Sequence, residues 1–166
     1  MRIPLKILVE GALCIALSIA LSFVKLFALP QGGSVTLSML PLFIFAFRRG
    51  GVYGVTAGVV TGVLHLFLGG YVVHPVQAVL DYPIASGVLG LAGFFQKKKL
   101  CGLAVGTLAN LAVAVLSGVV FFSAYAPKGM NVFLYSLLYN GSVVIPKGII
   151  CAVLVYLILP RLERFR

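Results

Sequence analysis

Long apolar runs separated by short basic clusters restrict this chain more than any other feature. Most runs approach the roughly 20 apolar residues that an α-helix needs to cross a bilayer. The breaks between them are Gly- and Pro-containing loops or tight clusters of Lys and Arg. With 61% hydrophobic and 10% charged residues and a mean hydropathy of +1.16, the chain reads as a polytopic membrane protein rather than a soluble domain. One domain over residues 1–166 is expected at this length. The first apolar run is too long and too poorly punctuated for a cleaved signal peptide.

Six helices are predicted, giving an all-α integral membrane fold. Helix 1 covers about Leu5 to Leu29 and is stopped by Pro30, with Gln31-Gly-Gly-Ser34 as a loop. Helix 2, about Thr36 to Phe47, is short for a full span, so loop is expected to cover part of that depth. Helix 3 runs from Val52 to Leu68. Helix 4 begins after Pro75 and reaches Phe95. Helix 5 covers Leu100 to about Ser123, and helix 6 runs from about Asn131 to Leu159, before Pro160. Six passes put Arg2, Lys6, Arg48, Arg49, Lys97, Lys98, Lys99, Arg161, Arg164 and Arg166 on one side, ten of the 13 basic residues. Both termini are therefore expected in the cytoplasm. This placement accounts for the net charge of +10 without nucleic acid.

Other classes find little support. Cys14, Cys101 and Cys151 have no CxxC or metal-ligand spacing and read as packing residues. No GxxxxGK[ST] motif occurs, so active transport needs a partner or an ion gradient. A membrane enzyme would need a paired carboxylate, a nucleophile–base set or metal ligands, and the pattern offers none.

One carboxylate interrupts an apolar run. Asp81 lies six residues past Pro75, roughly 9 Å into helix 4. An ionisable group at that depth faces a protein interior and marks a site. Asp81 reads either as the anion of a small-molecule pocket near the outer surface or as half of an internal ion pair, for which Lys147 is the natural partner. Five of the seven tyrosines, Tyr71, Tyr82, Tyr125, Tyr135 and Tyr139, map to the outer half, whereas Tyr53 and Tyr156 map to the inner half. An interfacial aromatic belt populates both sides, so the imbalance favours aromatic walls for a flat cationic ring. Tyr135 and Tyr139 share a helix face, while Asn140 is offset from Tyr135 by about 140°. Pro83 and Pro146 are expected to distort their helices beside these residues. His65 reads as packed or helix-bonded, His74 as an exposed loop residue, and Glu10 as reaching for nearby basic groups. Ala12, Ala16 and Ala20 form a small-residue stripe, suited either to internal packing or to docking of another membrane subunit.

Several fragments in order resemble one family. Leu40-Pro-Leu-Phe-Ile-Phe-Ala-Phe-Arg-Arg-Gly50, Pro75-Val-Gln77, Leu80-Asp-Tyr82, Gly87-Val-Leu-Gly-Leu-Ala-Gly93, Ser117-Gly118, Tyr125-Ala-Pro127 and Tyr135-Ser-Leu-Leu-Tyr-Asn-Gly141 are similar to the thiamine-specific S component of energy-coupling factor (ECF) transporters. The resemblance implies six transmembrane helices, thiamine capture at the extracellular side, a lid in the loop after helix 1, and no enzymatic activity. It implies docking through the alanine stripe, matched by Ala12, Ala16 and Ala20, onto a transmembrane coupling protein driven by two ATPases. Thiamine is then the ligand, with no separate cofactor or metal.

Carried over by position, Asp81 stands where the family has a ligand-facing glutamate, followed by Tyr82. Tyr71, Tyr135, Asn140 and Gly118 match pocket residues, and Phe122 and Tyr139 complete the aromatic enclosure. Ala114 stands where a histidine is expected, Asn110 where a basic residue is expected, and Phe122 where a tryptophan is expected. The chain has no tryptophan at all, so the lid lacks one near Gln31. Two alternatives remain beside thiamine capture. One is the same transporter class with a thiamine precursor or related heterocycle as ligand. The other is a structural membrane subunit whose polar residues only lock helices together.

Overall fold

The computed structural model describes residues 3–29 and 33–163. These form six helices and one small hairpin. They are α1 (Leu5–Phe23), β1 (Lys25–Ala28), β2 (Ser34–Thr36), α2 (Met39–Arg49), α3 (Gly51–Phe67), α4 (Pro75–Phe95), α5 (Lys99–Phe121) and α6 (Val132–Glu163). Helices α1, α4, α5 and most of α6 are long and apolar enough to cross a membrane, and α3 is an apolar helix of 17 residues. The protein is a multi-pass membrane protein.

The first helix is shorter than expected. It ends at Phe23, not Leu29, and Val24 turns to an extended conformation. Lys25–Ala28 then pairs antiparallel with Ser34–Thr36, and the Leu29 N–H donates to the Gly33 carbonyl at 2.6 Å. A short apolar run satisfies helix and strand equally well by hydropathy, and the β-branched partners Val35 and Thr36 decide it here. The expected stop at Pro30 and the loop at Gln31 and Gly32 lie outside the described residues, as do Arg2, Arg164 and Arg166.

Helix α2 has only 11 residues yet forms the centre of the core. Leu42, Phe43, Phe45, Ala46 and Phe47 are all buried, packed with Leu89, Leu103, Val155 and Leu159 from surrounding helices. At roughly 1.5 Å per residue it covers about 16 Å, and the hairpin precedes it in the remaining depth. Leu8, Leu13, Leu17, Leu108, Leu116, Ile149, Val153 and Leu157 are exposed large apolar residues on α1, α5 and α6, the composition of a lipid-facing surface.

Charge fixes one end. Glu10 of α1 accepts from Arg48 Nε at 2.5 Å and from Arg49 Nε at 2.7 Å, while Arg48 Nη1 donates to the Leu162 carbonyl at 2.7 Å. Three helices are tied together there, and Glu10 finds the basic partners expected of it. Gly50, with φ of 97°, lets α2 turn directly into α3.

Two prolines behave differently. Pro83 lacks the N–H that would close an α-turn onto Val79, and α4 widens into a π-helical turn over Leu80–Ile84. Pro160 does not end α6, which continues to Glu163, because one missing hydrogen bond near a terminus is tolerated. α3 lies close against α4: a Cβ at Gly62 would sit 2.6 Å from the Pro83 Cα, so only glycine permits this approach.

Candidate functional site

A cavity of about 840 Å³ lies among the helices and is covered on one side by the hairpin. That volume is within the usual range for small-molecule sites, about 300–1,000 Å³. Asp81, Tyr82, Tyr71, Tyr135, Asn140, Gly118, Phe122 and Tyr139 all line it, as does Tyr125. The five tyrosines expected on the outer side therefore meet at one cavity, and Tyr53 and Tyr156 are elsewhere.

The wide turn of α4 sets the acidic wall. A regular helix rotates 100° per residue. The π-turn reduces that rotation, so consecutive Asp81 and Tyr82 both reach the cavity. Gln77, one turn earlier and 1% exposed, orients the carboxylate by donating from Nε2 to Asp81 Oδ2 at 2.6 Å. The same amide donates to the Tyr71 carbonyl at 3.2 Å and accepts from the Val73 N–H at 3.0 Å. The Tyr82 hydroxyl donates to the Tyr71 carbonyl at 3.3 Å. Gln77 thus joins the α3–α4 loop to the anion, and Asp81 Oδ1 makes no hydrogen bond with any described residue. His74 is exposed as expected but also caps α4, its Nδ1 accepting from the Val76 N–H at 3.1 Å, and its ring stacks on Phe121.

The opposite wall comes from α5 and α6. Tyr135 and Tyr139 stack with centroids 6.1 Å apart. Asn140 donates through Nδ2 to the Ser136 carbonyl at 2.9 Å and to Ser136 Oγ at 3.2 Å, and Ser136 Oγ donates to the Val115 carbonyl at 3.0 Å. This chain holds the Asn140 amide in one orientation. At Gly118 a Cβ would collide with Ser136 Oγ, so glycine is what lets α5 meet this network. Phe122 and Tyr125 close the upper side, their rings 6.2 Å apart. Tyr139 Oη accepts from the Gly33 N–H at 3.0 Å and pins the hairpin over the cavity.

Several lining residues were not singled out by sequence reasoning. Ser18, Ser22, Thr61, Ser117 and Ser136 are small polar residues in apolar helices, and only their i, i+4 spacing on α1 and α3 hints at a polar face. Ser117 Oγ is buried with no hydrogen-bond partner among the described residues and lies on the wall. His65 is bonded within the helices as expected, through Nε2 to Ser22 Oγ at 3.1 Å, but it also lines the cavity. Lys147 lines it too, without a direct ion pair to Asp81, since the ion pairs among the described residues all use Glu10. Asn110 is a tie between helices, donating to the Ala85 carbonyl at 2.7 Å. Ala12, Ala16 and Ala20 lie on an exposed face of α1, roughly opposite Ser18 and Ser22. No group of three or more His, Cys, Asp or Glu among the described residues has metal-site geometry.

A family profile described as thiamine transporter protein matches residues 8–166. The chain is 37% identical over 177 aligned positions to the thiamine transporter ThiT of Bacillus subtilis (strain 168), covering 93% of this chain and 92% of the relative. It is 36% identical over 157 positions to ThiT of Lacticaseibacillus paracasei, covering 82% and 78%. A solved structure of ThiT from Listeria monocytogenes superposes with a TM-score of 0.88 at 26% identity, over 96% of both chains.

Proposed function

This chain belongs to the thiamine transporter protein family, and on that premise we propose that it is the thiamine-capturing S component of an ECF-type uptake system. The observation that carries this reading is the convergence of Asp81, Asn140 and five tyrosines on one cavity. Thiamine is a permanent thiazolium cation joined to an aminopyrimidine. Asp81, the one carboxylate among the described residues lining the cavity, pairs with the cationic ligand or accepts its hydrogen bonds. Tyr71, Tyr82, Tyr135, Tyr139 and Phe122 enclose the two rings through stacking and cation–π contact. Asn140 fixes the pyrimidine edge, and Gly118 keeps that wall open.

The six helices are six passes with both termini in the cytoplasm, which puts the cavity mouth outside and the Glu10–Arg48–Arg49 cluster inside. Energy comes from a transmembrane coupling protein and two ATPases, engaged through Ala12, Ala16 and Ala20. The exposure of these three alanines supports a docking face. An Ala16→Trp substitution is expected to leave thiamine binding within about twofold and to lower uptake in cells at least tenfold. Uptake at the wild-type level would remove the stripe from the coupling interface.

Tyr139→Phe retains the stacked ring but loses the hydrogen bond that holds Gly33. A lost hydrogen bond of about 1 kcal/mol speeds thiamine release roughly fivefold, with a smaller change in association, as stopped-flow measurement would record.

Tyrosine fluorescence tests the ligand directly, because the chain has no tryptophan and five of its seven tyrosines face the cavity. Thiamine is expected to quench that emission and to outcompete its isolated pyrimidine and thiazole halves. A half-molecule that binds as tightly as thiamine would instead identify a precursor transporter, consistent with the smaller side chains at Ala114 and Phe122.

A further inference from the structure

The chain has three acidic residues against 13 Lys and Arg, so a cation inside its helices has few internal partners. Lys147 is such a cation. It lies fifteen residues past Val132, about 22 Å along α6, and lines the cavity. Among the described residues, both acidic side chains have other partners. Glu10 is held by Arg48 and Arg49, and Asp81 is bonded to Gln77. Position 163 is sixteen residues further along α6, about 24 Å away. Among the described residues no carboxylate comes within 4.0 Å of the Lys147 ammonium. His65 of α3, which lines the same cavity, is another base and supplies no negative charge.

An unpaired ammonium at this depth is costly, and charges in such positions acquire counter-ions or become neutral. The cavity around it offers hydroxyls. Thr61, one turn before His65, and Ser22, bonded to His65, line the same cavity; their hydroxyls bond back to their own helices at 2.8 and 2.6 Å, and a hydroxyl proton can reorient toward an anion. We infer that Lys147, with the Thr61 and Ser22 hydroxyls, forms a site for a small monovalent inorganic anion of the chloride class. The site stands on Lys147, Thr61 and Ser22 lining one cavity, with no ion pair to Lys147 among the described residues. Its value to the transporter rests on the ligand reading above: Asp81, Lys147, a cationic ligand and one halide sum to zero charge. Capture then brings a cation and an anion together into a neutral, closed cavity within the membrane.

The test uses purified, detergent-solubilised, thiamine-free protein at constant ionic strength, with chloride or bromide replacing gluconate. Halide is expected to raise the melting temperature saturably, gluconate to have no effect, and Lys147→Met to lose the halide response. No halide response in the wild type, or an equal response in Lys147→Met, overturns the proposal. Crystals grown in bromide decide the case if the variant does not fold. An anomalous peak beside Lys147 Nζ supports the site, and its absence at saturating bromide refutes it. Thiamine is absent from every arm, so failure of the anion site and failure of the ligand assignment are distinguishable.

Discussion

Asp81→Asn is expected to weaken thiamine binding by about 1.5–3 kcal/mol, roughly 10- to 150-fold, the range for a hydrogen bond to a charged group. The substitution preserves volume, and an asparagine Oδ1 still accepts from Gln77 Nε2, which now donates to the carboxylate at 2.6 Å. The loop from Tyr71 to Val73 therefore keeps its anchor, and the fold should lose little stability. What disappears is the negative charge that Asp81 presents to the cavity. Titration of the purified variant reads the loss directly, and thermal melting without ligand provides the control. Unchanged affinity in a folded variant would remove Asp81 from the site and favour a purely structural role for it.

Gly62→Ala is expected to destabilise the protein by about 3 kcal/mol, the upper end for overpacking. The added methyl would meet the Tyr82 carbonyl and the Pro83 Cα, both backbone atoms of the π-turn that cannot rotate away. For a protein of this size that corresponds to a fall in melting temperature of roughly 6–12 °C. Because Asp81 and Tyr82 are carried by the same turn, thiamine affinity should fall as well. Gly141→Ala is the matched control. Its Cβ would meet only Ile145 Cδ1, at 3.8 Å, and alanine suits a helix interior better than glycine. A neutral or slightly stabilising Gly141→Ala beside a damaged Gly62→Ala would separate close helix approach from intrinsic helix preference.

Much of this architecture was legible in the chain. The apolar runs located the helices, and Asp81, Asn140, Gly118 and the five tyrosines expected on the outer side share one cavity. Other features left no trace in hydropathy. Lys25–Ala28 continues the apolar character of α1 yet forms a strand, because its backbone pairs with Ser34–Thr36. Pro83 signalled distortion of α4, but a wide turn that faces two consecutive residues into the cavity depends on the fit against Gly62. The polar end around Lys147, His65 and Thr61 comes from different helices, and single intramembrane polar residues say little until those helices are brought together. The central position of the short helix α2 follows from tertiary packing that no local pattern encodes.

Calorimetric titration of the detergent-solubilised protein with thiamine, after any bound vitamin has been removed, decides whether the cavity captures this ligand. Sub-micromolar binding at one site per chain is the expected result. Folded protein that gives neither heat nor thermal stabilisation with thiamine would contradict it and direct the search to another heterocycle fitted to the space at Ala114 and Phe122.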